Sequence, residues 1–261
     1  MMTMLPAKPG LIWLASYPKS GNTWVRLFLS ALESNRDVDL ARMDTAANGA
    51  ASRSLLQAAL GIGLSDLSRD EVADLLPLAY RRLAELGGDP PAILKVHSAY
   101  HTTPSGQPLF PPDATYGCIH LVRDPRDVCL SLAAHNGVAI DRAIDQMGKS
   151  HPPADSVRKS GSAQVDEFRG SWSSHGESWL AAPVRRLTVR YEDMVASPLD
   201  CLGRIAAFCG LPADADAVAL AVERTAFDRL AAKEPPVASR NVPTAWLVFF
   251  AAVGSASGAI S

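Results

Sequence analysis

Long apolar runs are missing from this chain. No stretch approaches the roughly 20 consecutive apolar residues of a membrane-spanning helix, and even the apolar run Ala245 to Val253 near the end is far shorter. No membrane partner is therefore expected. An excess of charge of one sign is missing too: 25 Lys and Arg stand against 27 Asp and Glu, a formal net charge of -2. Such a chain has no global basic field to attract nucleic acid, so any anion site must be local. Cysteine is scarce. Cys118, Cys129, Cys201 and Cys209 fall in apolar runs with no Cys-x-x-Cys pair, the pattern of reduced core thiols in a cytoplasmic protein. Met1 to Gly10 carries one lysine and two prolines, and the apolar run that follows is too short for the core of a secretory leader.

What is present is enough apolar material for one large α/β domain over residues 1–261, at 48% hydrophobic composition. The stretch that organises it begins at Leu11. Leu11 to Ala15 is a short continuous apolar run, suited to a strand buried on both faces of a parallel sheet. Leu27, Phe28 and Leu32 then recur at helical spacing. Between them, Gly21 permits a sharp turn, while Ser20, Asn22 and Thr23 offer hydroxyl, amide and backbone N–H donors at the positive end of a helix dipole. Lys19 adds a full charge, which makes an anion cradle. An ordinary capped strand–loop–helix connection is the plainer alternative. The loop is not a Walker A motif, because no Gly-Lys-Ser or Gly-Lys-Thr follows a glycine at the required distance. Phosphate fits it; a nucleoside triphosphate with magnesium does not.

Further along, Asn35 to Gly49 reads as an irregular connection. Ser54 to Leu60 and Ser68 to Leu86 read as helices, the second opened by a Ser68/Glu71 capping box and ended by Gly87-Gly88-Asp89-Pro90-Pro91. Ala92 to Ser98 is a short strand carrying Lys95 and His97 on one face, either an exposed strand end or a site. Cys118 to Arg123 is another buried strand, with Arg123 at its C-terminal end, where open α/β sheets bind ligands. Pro125 suits the first position of the next helix. Asn136 to Gly170 shows little periodicity and reads as a mobile lid or a solvated loop. Val184 to Tyr191 is a strand, and Leu199 to Cys209 and Asp214 to Arg224 are helices.

Several of these segments resemble one known family. Tyr17-Pro18-Lys19-Ser20-Gly21-Asn22-Thr23-Trp24 is similar to the 5′-phosphosulfate loop of the cytosolic-type sulfotransferases, usually Tyr-Pro-Lys-Ser-Gly-Thr-Thr-Trp, with Asn22 as the departure. Lys95-Val96-His97-Ser98 resembles the Lys-Thr-His-Leu strand end that supplies the family's base. Arg123-Asp124-Pro125-Arg126-Asp127-Val128 is similar to the 3′-phosphate motif, with Ser131 eight residues after the arginine. Gly170 to Leu180 resembles the Gly-Ser-Trp-x-x-His-x-x-x-Trp helix, in which Trp172 and Trp179 are read as packing and His175 as structural. Tyr191-Glu192-Asp193-Met194 matches a motif whose tyrosine approaches the nucleotide, and Thr225-Ala226-Phe227 resembles a turn that contacts adenine.

The resemblance spans about Leu11 to Phe227. It implies an α/β fold with a central parallel sheet flanked by helices in a P-loop-like three-layer arrangement. It also implies sulfuryl transfer from 3′-phosphoadenosine-5′-phosphosulfate, the co-substrate, to a hydroxyl or amine of a small-molecule acceptor, without a metal. Lys19 and Lys95 would stabilise charge, and His97 would take the acceptor proton with a pKa near the ordinary 6.5. Ser20, Gly21, Asn22 and Thr23 would hold the 5′ side, Trp24 and Phe227 with Thr225 the adenine, and Arg123, Ser131 and Tyr191 the 3′-phosphate. A nucleotide kinase and a non-catalytic nucleotide-binding homologue are the rivals. Residues Asn241 to Ser261 carry no charge where the family usually has a basic segment, so this tail is expected to add nothing to donor binding. The sequence leaves the acceptor and the oligomeric state open, a homodimer being one arrangement compatible with it.

Overall fold

The computed structural model of the chain describes residues 10–37, 47–149, 162–211, 214–226 and 229. Phe227, the heart of the lid expectation at 150–161 and the uncharged tail lie outside them. Among the described residues, five strands form one sheet, β1 (Leu11–Ser16), β2 (Ala47–Gly49), β3 (Ile93–Val96), β4 (Thr115–Val122) and β5 (Arg186–Arg190), in the order β2-β3-β1-β4-β5. Each neighbouring pair is parallel. The expected parallel sheet flanked by helices is therefore what forms.

β1 lies at the centre with every residue buried, and its pleat divides the core in two. Leu11, Trp13 and Ala15 pack on one face with Leu94, Val96 and Cys118. That face is covered by α2 (Arg53–Leu60), α3 (Arg69–Leu86) and Trp179 of α6 (Trp172–Ala181). Ile12 and Leu14 point the other way, with Ile93, Ile119 and Leu121. There they meet α1 (Asn22–Ser34), α8 (Pro198–Phe208) and α9 (Ala215–Arg224). Alternation at period two on a strand buried on both sides is what produces three layers. Trp13 anchors the first face. Its ring lies 5.0 Å from Tyr80 and 4.8 Å from Phe110, and its Nε1 donates to Thr115 Oγ1 at 2.8 Å.

Local chemistry sets several boundaries as expected. Ser68 and Glu71 form the reciprocal capping box of α3. Asp124 caps α4 (Pro125–Asn136), with Pro125 in its first turn. The four cysteines are buried and unpaired. No helix among the described residues is long and apolar enough to cross a membrane.

Three expectations are corrected. The connection after α1 contains β2, an edge strand of three residues that exists through its pairing with β3. The stretch after Asn136 contains α5 (Ile140–Gly148), whose Ala143 and Met147 are buried. The far end of that stretch is pinned: Arg53 N–H donates to Ala163 O, Val165 N–H to Ala51 O and Ala99 N–H to Phe168 O. Tyr191, read as the end of a strand, instead opens α7 (Tyr191–Ala196).

Candidate functional site

The C-terminal ends of β1, β3 and β4 lie side by side, so the loops that leave them share one edge of the sheet. The loop after β1 turns through two left-handed residues, Lys19 at φ 71° and Gly21 at φ 96°. A lysine in that region is uncommon and strained by about 1–3 kcal/mol, a feature concentrated at functional sites. Gly21 is required twice over, since a Cβ there would sit 2.8 Å from Tyr191 Cδ2. No side chain caps α1, so its first backbone N–H groups point into the loop with the positive end of the helix dipole. Thr23 lies in that first turn.

Arg123 leaves β4 buried, 6% exposed. Its Nη1 donates to the Lys19 carbonyl at 3.1 Å and its guanidinium lies 4.1 Å from the Tyr191 ring centroid. Tyr191 in turn meets Trp24 edge to face at 6.3 Å. Lys19, Gly21, Trp24, Arg123 and Tyr191 therefore line one continuous surface. Arg123 also reaches Asp127 Oδ2 at 3.7 Å, a long contact between the buried guanidinium and an exposed carboxylate. Burial, then Arg123, holds the Lys19 ammonium below its ordinary pKa. Burial raises the Tyr191 phenol.

The fit to a phosphorylated ligand rests on buried atoms. Ser20 Oγ, Trp24 Nε1 and Ser131 Oγ are buried and have no hydrogen-bond partner among the described residues. Buried donors in that state cost about 1–3 kcal/mol each, and an anion with several acceptor oxygens would satisfy them. Asn22 is different. Its Nδ2 donates inward, to Leu14 O and Ser16 Oγ at 3.1 Å each. Thr225 donates its hydroxyl to Ala221 O at 2.8 Å, closing the last turn of α9.

His97 is the first residue past β3. Its ring Nδ1 lies 2.8 Å from the Ser16 carbonyl. A carbonyl only accepts, so Nδ1 carries the proton and Nε2 keeps its lone pair. The backbone N–H of His97 donates to Glu167 Oε1 at 2.9 Å. Burial first, then Lys95, lowers the His97 pKa to about 3, which corrects the expectation of an ordinary value. The ring is a neutral acceptor throughout the neutral range. A bound anion beside Lys95 would offset the lysine's part of that shift.

Sequence reasoning missed Ser16, Glu167 and His120. His120 is 1% exposed on β4, 6.2 Å from the ring of His175, which is equally buried and lies 5.7 Å from Tyr17. A polar residue inside the buried run Cys118 to Arg123 was the available signal. Glu167 also lines a cavity of about 830 Å³ between α2, α3 and the loop after β3, with Leu64, Leu76, Ser98, Leu109 and Phe168. The Ser98 carbonyl accepts from Trp179 Nε1 at 3.0 Å, so α6 holds the backbone of a cavity-lining residue next to His97.

A family model described as a sulfotransferase domain matches residues 9–241. Among solved structures, retinol dehydratase in complex with retinol and PAP aligns with a TM-score of 0.51 at 18% identity, over 86% of this chain and 67% of that one. Its complex with androsterone and the inactive cofactor PAP gives 0.50 at 18% identity over 86% of this chain, which spans just under two thirds, 66%, of that protein's length. Mouse sulfotransferase SULT7A1 complexed with PAP gives 0.50 at 18% identity, over 94% and 76% of the two chains. At such identity the shared property is the fold.

Proposed function

This chain belongs to the sulfotransferase domain family, and from that premise we propose that it moves a sulfuryl group from 3′-phosphoadenosine-5′-phosphosulfate to a hydroxyl or amine of a small acceptor. The observation that carries this reading is the hydrogen bond from Arg123 to the Lys19 carbonyl. It supports the reading of the two phosphate-type motifs, far apart in sequence, as the two ends of one site. The donor, when bound, supplies a sulfuryl group already activated by its phosphate leaving group. The solved neighbours named above, crystallised with PAP, support the nucleotide class.

The uncapped start of α1, with Ser20, Gly21, Asn22 and Thr23, holds the 5′ end through backbone N–H groups. Arg123, Ser131 and Tyr191 select the 3′-phosphate, the planar guanidinium pairing two of its oxygens. Trp24 offers its ring to the adenine. Lys19 stabilises negative charge as the bridging oxygen leaves, and Lys95 does the same on the transferring group. His97 Nε2 takes the acceptor proton. The acceptor body enters the cavity beside Glu167. The chain acts as a single domain, and its buried, unpaired thiols suit a cytoplasmic location.

Titration with adenosine 3′,5′-bisphosphate, followed by turnover with the phosphosulfate donor and a panel of phenols, alcohols and amines, tests the proposal. His97→Ala should lower turnover about 10²–10⁴-fold and leave bisphosphate affinity nearly intact. Equal losses in both would make His97 structural. Failure to bind the bisphosphate would remove the nucleotide site altogether.

A further inference from the structure

Asn22 occupies the place where the family loop usually has threonine, and its amide is turned away from the loop. The residue is 6% exposed. Nδ2 donates both to Leu14 O and to Ser16 Oγ at 3.1 Å. The Leu14 carbonyl can only accept, which fixes the amide orientation. Its Oδ1 is buried without a partner among the described residues, and as an acceptor it could not serve a phosphate. Ser16 is fully buried. Its Oγ lies 3.4 Å from His97 Nδ1, and its carbonyl accepts from that same nitrogen at 2.8 Å.

We propose that Asn22 is a positioning residue for His97, acting through Ser16, and that it does not ligate the donor through its side chain. Its two hydrogen bonds clamp the last residues of β1 and so fix the carbonyl that holds the imidazole. The proton is kept on Nδ1 and Nε2 is left to accept. Asn22 is also the first residue of α1, so the anion-binding helix start and the base are tied by one side chain. Loss of the amide removes a donor from Leu14 O and Ser16 Oγ and frees the strand end to shift. The inference rests on the reading of His97 as the base, and its test is separable from that reading.

The full chain is compared with Asn22→Ala, Ser16→Ala and Ser16→Thr. The measurements are the His97 ring tautomer from long-range ¹H–¹⁵N spectra without donor, bisphosphate affinity by calorimetry, and kcat and KM with the phosphosulfate donor. Wild type should show the Nδ1–H tautomer. Asn22→Ala and Ser16→Ala should give a mixed population and a kcat lower by up to about 100-fold, with bisphosphate affinity unchanged within about twofold. Ser16→Thr, which keeps the hydroxyl, should retain most of kcat. An Asn22→Ala protein with the wild-type tautomer, or with bisphosphate affinity reduced as much as kcat, overturns the proposal. If Asn22→Ala does not fold, Ser16→Ala carries the same test. A wild-type protein without turnover on any acceptor refutes the sulfotransferase reading instead, and the tautomer comparison still decides the role of Asn22.

Discussion

Arg123 shows how one residue can serve packing and binding. Its guanidinium covers Tyr191, donates to Lys19 O and reaches Asp127. The aromatic contact and the carbonyl fix its plane, while the long pair to exposed Asp127 is the contact a phosphate can displace. Arg123→Ala should weaken bisphosphate binding by about 1.5–3 kcal/mol, the worth of a hydrogen bond to a charged group, as read by calorimetry. Unchanged affinity would remove Arg123 from the site. The resemblance pointed to Arg123, Lys19 and His97 because their motifs are short and local. It could not reveal that the Asn22 amide faces inward, since side-chain direction depends on which carbonyls the folded sheet presents to it.

At the scale of elements, the loop between β1 and α1 is specified by backbone chemistry. Gly21→Ala would place a methyl 2.8 Å from Tyr191 Cδ2 at φ 96°, so it should destabilise the protein by at least ~1 kcal/mol and also weaken bisphosphate binding. Urea unfolding paired with titration would check both; retention of full stability would show that the loop relaxes freely. Trp13 on β1 is fully buried against Tyr80 and Phe110, and Trp13→Ala should cost about 3–5 kcal/mol, measured by the same unfolding. Helix α5 was legible but unread. Ile140, Ala143, Ile144 and Met147 fall at helical spacing, within a stretch whose Gly, Pro and Ser content argued for a loop. β2 was not legible at all, because three residues without an apolar pattern become a strand only through an edge that β3 offers.

For the whole molecule, the buried histidines set an acid limit. His97 and His175 have pKa values lowered to about 3, and His120 to about 4, each by burial before any charge effect. As pH falls below about 6.5, the unfolded chain takes up protons at these rings and the native state does not, so stability rises with pH through this window and is lost on acidification. Each histidine contributes up to about 1.4 kcal/mol per pH unit. Urea unfolding at pH 7.5, 6.5, 5.5 and 4.5 should show a steep decline below about 6.5, and a flat profile would mean that these rings are solvated and protonate in the native state. The sequence by itself determined the strand–loop–helix start, the α3 capping box, the α4 cap and the apolar strands, because each depends on residues a few positions apart. Only the tertiary structure decided that β1 lies between β3 and β4, that Arg123 reaches a carbonyl 104 positions away, that His97 meets Ser16 across 81, and that Glu167 meets His97 across 70. Those contacts arise from close packing of two apolar faces against one sheet, a sum of many weak interactions that no local pattern encodes.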